Sequence, residues 1–192
     1  MLSWLRKLFG KEATAVEPAE PIAADPLYTR PADWHDVLFV AGLLNRAGVR
    51  YVLVGGYALA AHGFVRMTED IDIAVAPDAE NARRWIAALS GLPDGASREL
   101  EGEEDPFEGD YLHAIRINDL FTVDVLPSVS GVPFEELARH IEWLDLDGEA
   151  VPVLNLEGLL KTKQGVRPKD QADARLLRQA IDQLKHRDPP PG

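Results

Sequence analysis

The chain has 192 residues, which is enough for one domain with a substantial core. Its formal net charge of −12 excludes a broad electrostatic grip on DNA or RNA, because such binding depends on many Lys and Arg contacts to phosphate. The chain contains no cysteine, which excludes disulfides, zinc–thiolate sites and cysteine nucleophiles and agrees with the cytoplasmic location that we expect. A polyanionic substrate must therefore be bound at a local basic patch or through bound cations.

The first residues, MLSWLRKLFGK, predict a short amphipathic helix over residues 1–11. Its apolar side chains recur at helical spacing, namely Trp4, Leu5, Leu8 and Phe9. Basic residues lie among them, so this helix could make a peripheral contact with a membrane or dock on a partner. A helix that packs on its own domain is an interpretation at least as good.

Domain boundaries follow from composition. Residues 12–31 are rich in Ala, Pro and Glu without periodicity, and we interpret them as a disordered linker. The folded domain is expected over residues 32–186, followed by a charged, Pro-rich tail over residues 187–192. Asp33 can cap the first helix of this domain, which should end near Gly48.

Apolar patterning then predicts alternating strands and helices. We expect a buried strand at 51–54, a short helix at 57–62, a half-buried strand at 71–75 and a helix from Pro77 and Asp78. A loop at 91–110 should follow, and then strands at 111–117 and 121–126 joined by a tight Asn118-Asp119 turn. The remaining elements are a helix around 134–139, a hairpin that turns at Asp147-Gly148, and helices at 156–163 and 168–185. These elements predict an α/β (α+β) fold, in which a short mixed β-sheet has flanking helices and a C-terminal helical segment.

A glycine pair, Gly55-Gly56, lies between the first strand and the helix that follows it. Glycines at such a position allow backbone N–H groups to approach a phosphate, and a helix N-terminus adds a favourable dipole. Taken alone this signal is weak, because a glycine pair after a strand is more often a tight turn.

Two carboxylates lie on the same side of the next strand, because Asp70 and Asp72 are two residues apart and side chains alternate along a strand. Such neighbours repel each other unless a proton or a cation lies between them. Hard oxygen ligands of this kind suit Mg²⁺ or Mn²⁺. The alternative is a solvent-exposed strand face without a ligand.

A third acid, Asp124, interrupts the apolar run Val123-Asp124-Val125. A buried carboxylate without a partner is costly, so Asp124 needs a cation, a hydrogen-bond donor or solvent. If its strand pairs beside the strand that follows Asp70, three carboxylates converge on one face of the sheet.

The order Gly-Gly, thirteen residues, Asp-Ile-Asp-Ile and a later Val-Asp-Val resembles the DNA polymerase β-type nucleotidyltransferase superfamily. Residues 55–63 and 66–72 are similar to the minimal nucleotidyltransferases and to the AbiEii-type toxins of bacterial toxin–antitoxin and phage-defence systems. The basic and acidic residues of 163–173 also look like the closing helix motif of that group. The resemblance covers roughly residues 33–184, although Tyr57 follows the glycine pair where many members have Ser or Thr.

The resemblance implies a role for each matching residue. Asp70 and Asp72 would hold the metal ion that is bound to the triphosphate, and Asp124 would help to hold a second one. The nucleotide-binding residues would be Gly55, Gly56, Arg66, Thr68, Lys163 and Arg167. A structural turn is an equally good role for Arg66 and Thr68, and an ordinary charged helix surface is the alternative for the basic residues.

The function implied is a metal-dependent nucleotidyltransferase that moves an NMP from an NTP to a hydroxyl acceptor. The acceptor could be RNA, a protein or a small molecule, and membership of a toxin–antitoxin system would add a cognate antitoxin as a partner. The alternative is a catalytically silent nucleotide-binding or interaction module of the same fold. A purely structural adaptor is the third hypothesis, but it leaves Asp124 unexplained.

Overall fold

The structure is a computed structural model that describes residues 29–103, 106–107, 114–165 and 168–187. The predicted N-terminal helix, most of the predicted linker and nearly all of the predicted tail lie outside these residues. The helices are α1 (Trp34–Arg46), α2 (Gly55–Ala61), α3 (Ala79–Leu89), α4 (Phe134–Leu137), α5 (Leu156–Thr162) and α6 (Pro168–Arg187). The strands are β1 (Tyr51–Leu53), β2 (Ile71–Val75), β3 (Ile115–Asn118), β4 (Thr122–Leu126), β5 (Ser128–Val129), β6 (Val132–Pro133), β7 (Ile141–Leu146) and β8 (Glu149–Leu154).

A mixed six-stranded sheet has the order β3-β4-β2-β1-β8-β7. Strand β2 runs parallel to β4 and β1 runs parallel to β8, whereas the other neighbours are antiparallel. Helices flank this sheet, and the long helix α6 is the last element of the described residues. The predicted α/β class with a short mixed sheet and a C-terminal helical segment is confirmed. Within the described residues, no helix is both long and apolar enough to cross a lipid bilayer.

Helix α1 begins where the sequence predicts. The Asp33 carboxylate accepts a hydrogen bond from the Asp36 N–H, and the Asp36 carboxylate accepts one from the Asp33 N–H, which is a capping box. Arg30 lies against the same turn, where its guanidinium donates to both Asp36 oxygens at 2.6 and 2.7 Å. Its N–H also donates to the Leu120 carbonyl at 2.9 Å. Arg30, which lies inside the segment predicted as linker, therefore makes contacts with the folded domain.

Strand alternation separates an apolar face of the sheet from a polar one. Ile71 and Ile73 pair with Val123 and Val125, and all four are buried in the core. The residues between them on β2 and β4 point to the opposite face, because successive side chains in a strand alternate. The buried apolar residues therefore fix the pairing register of β2 and β4, and the acidic residues between them follow the same register.

The prediction of a tight turn at Asn118-Asp119 is wrong by one residue. Asn118 is still in β3 and pairs with Thr122, so the connection comprises residues 119–121. The buried Asp119 carboxylate accepts hydrogen bonds from backbone N–H groups of a distant segment, namely those of Asp94 and Ala96, as well as from its neighbour Leu120. This tertiary anchor, together with the burial of Phe121, overrides the local preference for a tight hairpin.

Two more elements are absent from the sequence prediction. A 3-10 helix, Ala96–Leu100, lies within the predicted loop at 91–110, where the buried Ser97 hydroxyl donates to the Ile86 carbonyl. The β5–β6 hairpin turns through Ser130 and Gly131, both with positive φ. By contrast the predicted hairpin turn at Asp147-Gly148 is confirmed between β7 and β8.

Candidate nucleotide and metal site

The pairing of β2 with β4 places Asp72 directly beside Asp124. Neighbouring strands lie about 4.8 Å apart, and paired residues of a parallel ladder project to the same face. Asp70 immediately precedes β2 and lies within reach of the same arginine side chain as Asp124. The structure therefore brings all three predicted carboxylates to one region of the sheet.

That arginine is Arg116, which the sequence analysis did not single out. It pairs with Asp124 across the β3–β4 ladder, and its Nε and Nη2 donate to the two Asp124 oxygens at 2.9 and 2.7 Å. The same Nη2 also donates to Asp70 Oδ2 at 2.9 Å. Arg116 faces Asp124 because Asn118 pairs with Thr122 at the end of the same ladder.

Asp72 is the least compensated of the three acids. Burial, followed by the charges of Asp124 and Asp70, raises the pKa of its carboxyl group to about 6. The positive charge of Lys163 and a hydrogen bond from the Gly56 N–H act in the opposite direction. The Arg116 guanidinium has its own pKa raised by its hydrogen bonds to Asp124. Arg116 thus neutralises Asp124 and Asp70 more directly than Asp72.

The glycine pair lies against this acidic face. Gly55 has a φ of +66°, and a Cβ built on it would lie 2.7 Å from the Asp72 Cγ and closer still to Oδ2. A Cβ on Gly56 would lie 2.5 Å from the Thr68 Cβ. The Thr68 hydroxyl in turn donates to the Asp70 carbonyl at 3.2 Å. The absence of side chains at Gly55 and Gly56 leaves space for the side chains of Asp72 and Thr68. The Gly56 N–H also donates a hydrogen bond to the Asp72 carboxylate.

A cavity of about 300 Å³ opens beside Asp72. Several residues that the sequence analysis assigned to the nucleotide line it, namely Gly55, Gly56, Arg66, Thr68 and Lys163. Lys169 and Asp170 from the first turn of α6 and Ser130 from the β5–β6 turn complete the polar part of the wall. Arg167 lies outside the described residues. The cavity wall is therefore largely polar and carries three cationic side chains together with the carboxylates of Asp72 and Asp170.

The cations on this wall are partly paired with acids of α6. Lys163 Nζ lies 3.3 Å from Asp173 Oδ2 and 3.6 Å from Asp170 Oδ1. Arg66 Nη1 lies 3.5 Å from Asp173 Oδ1, whereas its Nη2 is buried with no hydrogen-bond partner in the described part of the chain. Asp173 is 5% exposed, so it faces two cations in a poorly hydrated position. These long ion pairs leave hydrogen-bonding capacity for an anion in the cavity.

The donor chemistry fits a hard divalent cation only in part. Carboxylate oxygens suit Mg²⁺ or Mn²⁺, and Asp72 lacks a full countercharge. Among the residues that the structure describes, however, no three acidic or histidine groups are arranged to hold a metal ion together. Both oxygens of Asp124 accept hydrogen bonds from the Arg116 guanidinium. Arg116 donates to only one oxygen of Asp70 and to neither oxygen of Asp72, so Asp72 and Asp70 are the residues that would hold such an ion.

Comparison with solved structures shows that the fold is that of nucleotidyltransferases. A Thermotoga maritima protein provisionally classed as a nucleotidyltransferase aligns with a TM-score of 0.51 and 17% identity, over 78% of this chain and 92% of that chain. The lincosamide antibiotic adenylyltransferase LnuA, bound to lincomycin, aligns with a TM-score of 0.52 and 14% identity, over 77% of this chain and 98% of that chain. ANT(2'')-Ia in complex with adenylyl-2''-tobramycin aligns with a TM-score of 0.51 and 16% identity, over 79% and 90%.

At these identities the alignments show the fold alone. No protein-family model matches the sequence, and no curated protein sequence gives a significant match. The predicted nucleotidyltransferase fold is confirmed, whereas the narrower resemblance to minimal nucleotidyltransferases and AbiEii-type toxins stays a prediction.

Proposed function

We propose that the chain is a metal-dependent nucleotidyltransferase, which moves a nucleoside monophosphate from an NTP to a hydroxyl acceptor. The observation that carries the proposal is the register of β2 and β4, which sets Asp72 beside Asp124 at the edge of a cationic cavity. The fold supports this function, since it is shared by the adenylyltransferase LnuA and by ANT(2'')-Ia, whose structure contains adenylyl-2''-tobramycin. A fold by itself does not define a reaction, so the site must carry the argument.

The cavity offers what a triphosphate needs in a strongly acidic chain. Arg66, Lys163 and Lys169 form a local group of cations on its wall. The buried Arg66 Nη2 has no partner among the described residues, and an unsatisfied guanidinium N–H in such a position favours a phosphate oxygen. We assign Gly55, Gly56, Thr68 and Arg167 to the same nucleotide site, with Arg167 placed there by the sequence resemblance alone.

The reaction forms a bond between the acceptor oxygen and the α-phosphorus of the NTP. The bond from that phosphorus to the oxygen bridging to the β-phosphate breaks, pyrophosphate leaves, and the hydroxyl proton passes to a nearby base or to water. Mg²⁺ or Mn²⁺, when held by Asp72 and Asp70, would polarise the α-phosphate and offset the charge of the leaving group. Arg66 and Lys163 contribute positioning and charge stabilisation, which provide most of the catalysis in such transfers.

The class of acceptor is proposed from two of the solved structures and from the sequence resemblance. LnuA is named for lincosamide antibiotics and ANT(2'')-Ia is bound to an adenylylated tobramycin, which supports a small-molecule hydroxyl as one acceptor. We keep RNA and protein hydroxyls as the other acceptors, together with the toxin–antitoxin or phage-defence role and the cognate antitoxin that the sequence resemblance implies. The peripheral membrane contact of residues 1–11 is likewise a proposal that rests on sequence only.

A catalytically silent module is the second candidate, and one observation favours it. Arg116 already holds Asp124 and Asp70, and the described residues contain no ready arrangement of three metal ligands. Such a module would bind a nucleotide in the cavity without transferring it.

Transfer of an α-phosphate label distinguishes the two candidates. The full chain is incubated with each NTP labelled at the α-phosphate, with Mg²⁺ or Mn²⁺, and with total RNA, cell lysate or a panel of small hydroxyl compounds. Label should move to one acceptor class, and Asp72→Asn should abolish transfer while Asp182→Asn, an exposed change on α6, should not. Binding of labelled nucleotide without any transfer supports the silent module instead.

A further inference from the structure

We propose that the guanidinium of Arg116 takes the place of one of two divalent ions, so that the site binds a single divalent ion. This inference rests on the proposed function, because it concerns the same carboxylates. It departs from the two-ion arrangement that the sequence resemblance implies, and it gives a role to a residue that the motif does not contain.

The geometry at Asp124 is the first argument. Arg116 binds that carboxylate in a bidentate manner, with Nε on Oδ1 at 2.9 Å and Nη2 on Oδ2 at 2.7 Å. Bidentate arginine–carboxylate pairs are among the strongest polar contacts in proteins, and they satisfy both oxygens at once. An ion that used Asp124 as a ligand would have to share or displace this guanidinium.

The bridge to Asp70 is the second argument. Arg116 Nη2 donates to Asp70 Oδ2 at 2.9 Å while it holds Asp124, so one guanidinium spans two of the three acids. A cation that bridges two carboxylates does what a second metal ion would do there electrostatically. Asp72, beside them in the sheet, receives no hydrogen bond from Arg116 in the structure and is the acid that a single divalent ion would serve.

Charge balance and burial give the third argument. The three ionised carboxylates and Arg116 have a net charge of −2 together. One divalent ion neutralises this charge, whereas two would leave the site with a net positive charge. The Asp124 side chain is 12% exposed, so removal of its partner would leave a nearly buried anion. Arg116 is itself 54% exposed, which means that its loss leaves little apolar surface unfilled.

Counting bound Mn²⁺ tests the proposal without reference to activity. The full chain and its variants are titrated with Mn²⁺ alone, and bound ions per chain are measured by equilibrium dialysis with electron paramagnetic resonance. The parent should bind one ion, and Arg116→Gln should bind one more. Arg116→Lys keeps a positive charge and should match the parent, and Arg84→Gln, an exposed arginine paired with Glu80, is the matched control.

The results separate the inference from the proposed function. No bound ion in the parent contradicts a metal-dependent transferase, whatever Arg116 does. The same count in the parent and in Arg116→Gln, or two ions in the parent, overturns the role of Arg116 and leaves the transferase intact. If Arg116→Gln fails to fold, Asp124→Asn gives a second measurement: it should keep the ion of the parent, and loss of that ion overturns the inference.

Discussion

Gly55 packs directly against the side chain of Asp72: a Cβ on residue 55 would lie 2.7 Å from the Asp72 Cγ. Gly55→Ala should therefore push the carboxylate away from Asp124 and abolish nucleotidyl transfer. The φ of +66° adds backbone strain for any other residue, so we expect a loss of about 2–4 kcal/mol in the free energy of unfolding from strain and overlap together.

Gly63→Ala is the matched control for that variant. Gly63 also has a positive φ, +84°, but a Cβ there would have no heavy atom within 4 Å. Backbone strain alone should lower the free energy of unfolding of this control by about 1–2 kcal/mol, and the control should keep its transfer activity. Equal activity in the two variants, measured with the same labelled NTP, would show that the contact with Asp72 does not matter for function.

Lys163 should contribute to nucleotide affinity. Lys163 lines the cavity together with Asp72, and its positive charge lowers the pKa of that carboxyl group. Lys163→Gln should weaken NTP binding roughly tenfold or more, which corresponds to about 1.4 kcal/mol or more. The rise in Tm on adding Mg²⁺ and NTP should shrink accordingly, because only the folded chain offers the site.

Lys161→Gln provides the control for Lys163→Gln, since Lys161 lies two residues earlier and pairs with Glu136 instead. It should leave the ligand-induced change in Tm as it is in the parent. If both variants lose the same part of that change, the effect comes from overall charge and not from the cavity.

Two truncations should locate the beginning of the stable domain. Residues 12–28 have a composition that cannot bury enough apolar surface to offset ordering, so deletion of residues 1–28 should leave Tm nearly unchanged. Deletion of residues 1–30 also removes Arg30 and leaves the buried Asp36 with the Asp33 N–H but without its cationic partner. The second truncation should lower the free energy of unfolding by about 1–3 kcal/mol, which corresponds to several degrees in Tm. A large drop already at residue 28 would show that the N-terminal segment packs on the domain.

The parts of the fold that were predictable depend on local pattern. Period-two alternation around Asp72 and around Asp124 fixes the faces of β2 and β4, because a one-residue slip would expose every core side chain of a strand. The capping box at Asp33 and the turn at Asp147-Gly148 are likewise local, and both are present in the structure. What the sequence could suggest but not establish is that β2 and β4, far apart in the chain, are neighbours.

The missing parts depend on tertiary contacts. Arg116 reaches Asp124 only because the β3–β4 connection has three residues, and that length is set by the burial of Asp119 and Phe121 against other segments. Nothing in a window of a few residues encodes that anchor. A site residue on the neighbouring strand of a hairpin is therefore predictable only as accurately as the turn between the strands.

The last prediction concerns pH and Asp72 in the absence of divalent ions. The carboxyl group has an ordinary pKa of 3.8 when the chain is unfolded, and burial beside Asp124 and Asp70 raises its pKa to about 6 in the fold. Below about pH 4 both states are protonated, and the contribution of the neutral group is fully present. Between about pH 4 and 6 the native state binds more protons than the unfolded state, so the free energy of unfolding falls as the pH rises.

This loss should amount to at most about 3 kcal/mol, since one pKa unit corresponds to about 1.4 kcal/mol. Asp72→Asn removes the ionisable group while nearly keeping its shape, so the metal-free variant should be as stable as the parent or more stable at neutral pH, and its pH slope should be smaller. Urea titrations of the parent, Asp72→Asn and Asp182→Asn across this pH range measure both quantities. A structural role for Asp72 requires the reverse, with the variant less stable at neutral pH and its slope unchanged. Such a result, together with retained transfer activity, would remove Asp72 from the catalytic site.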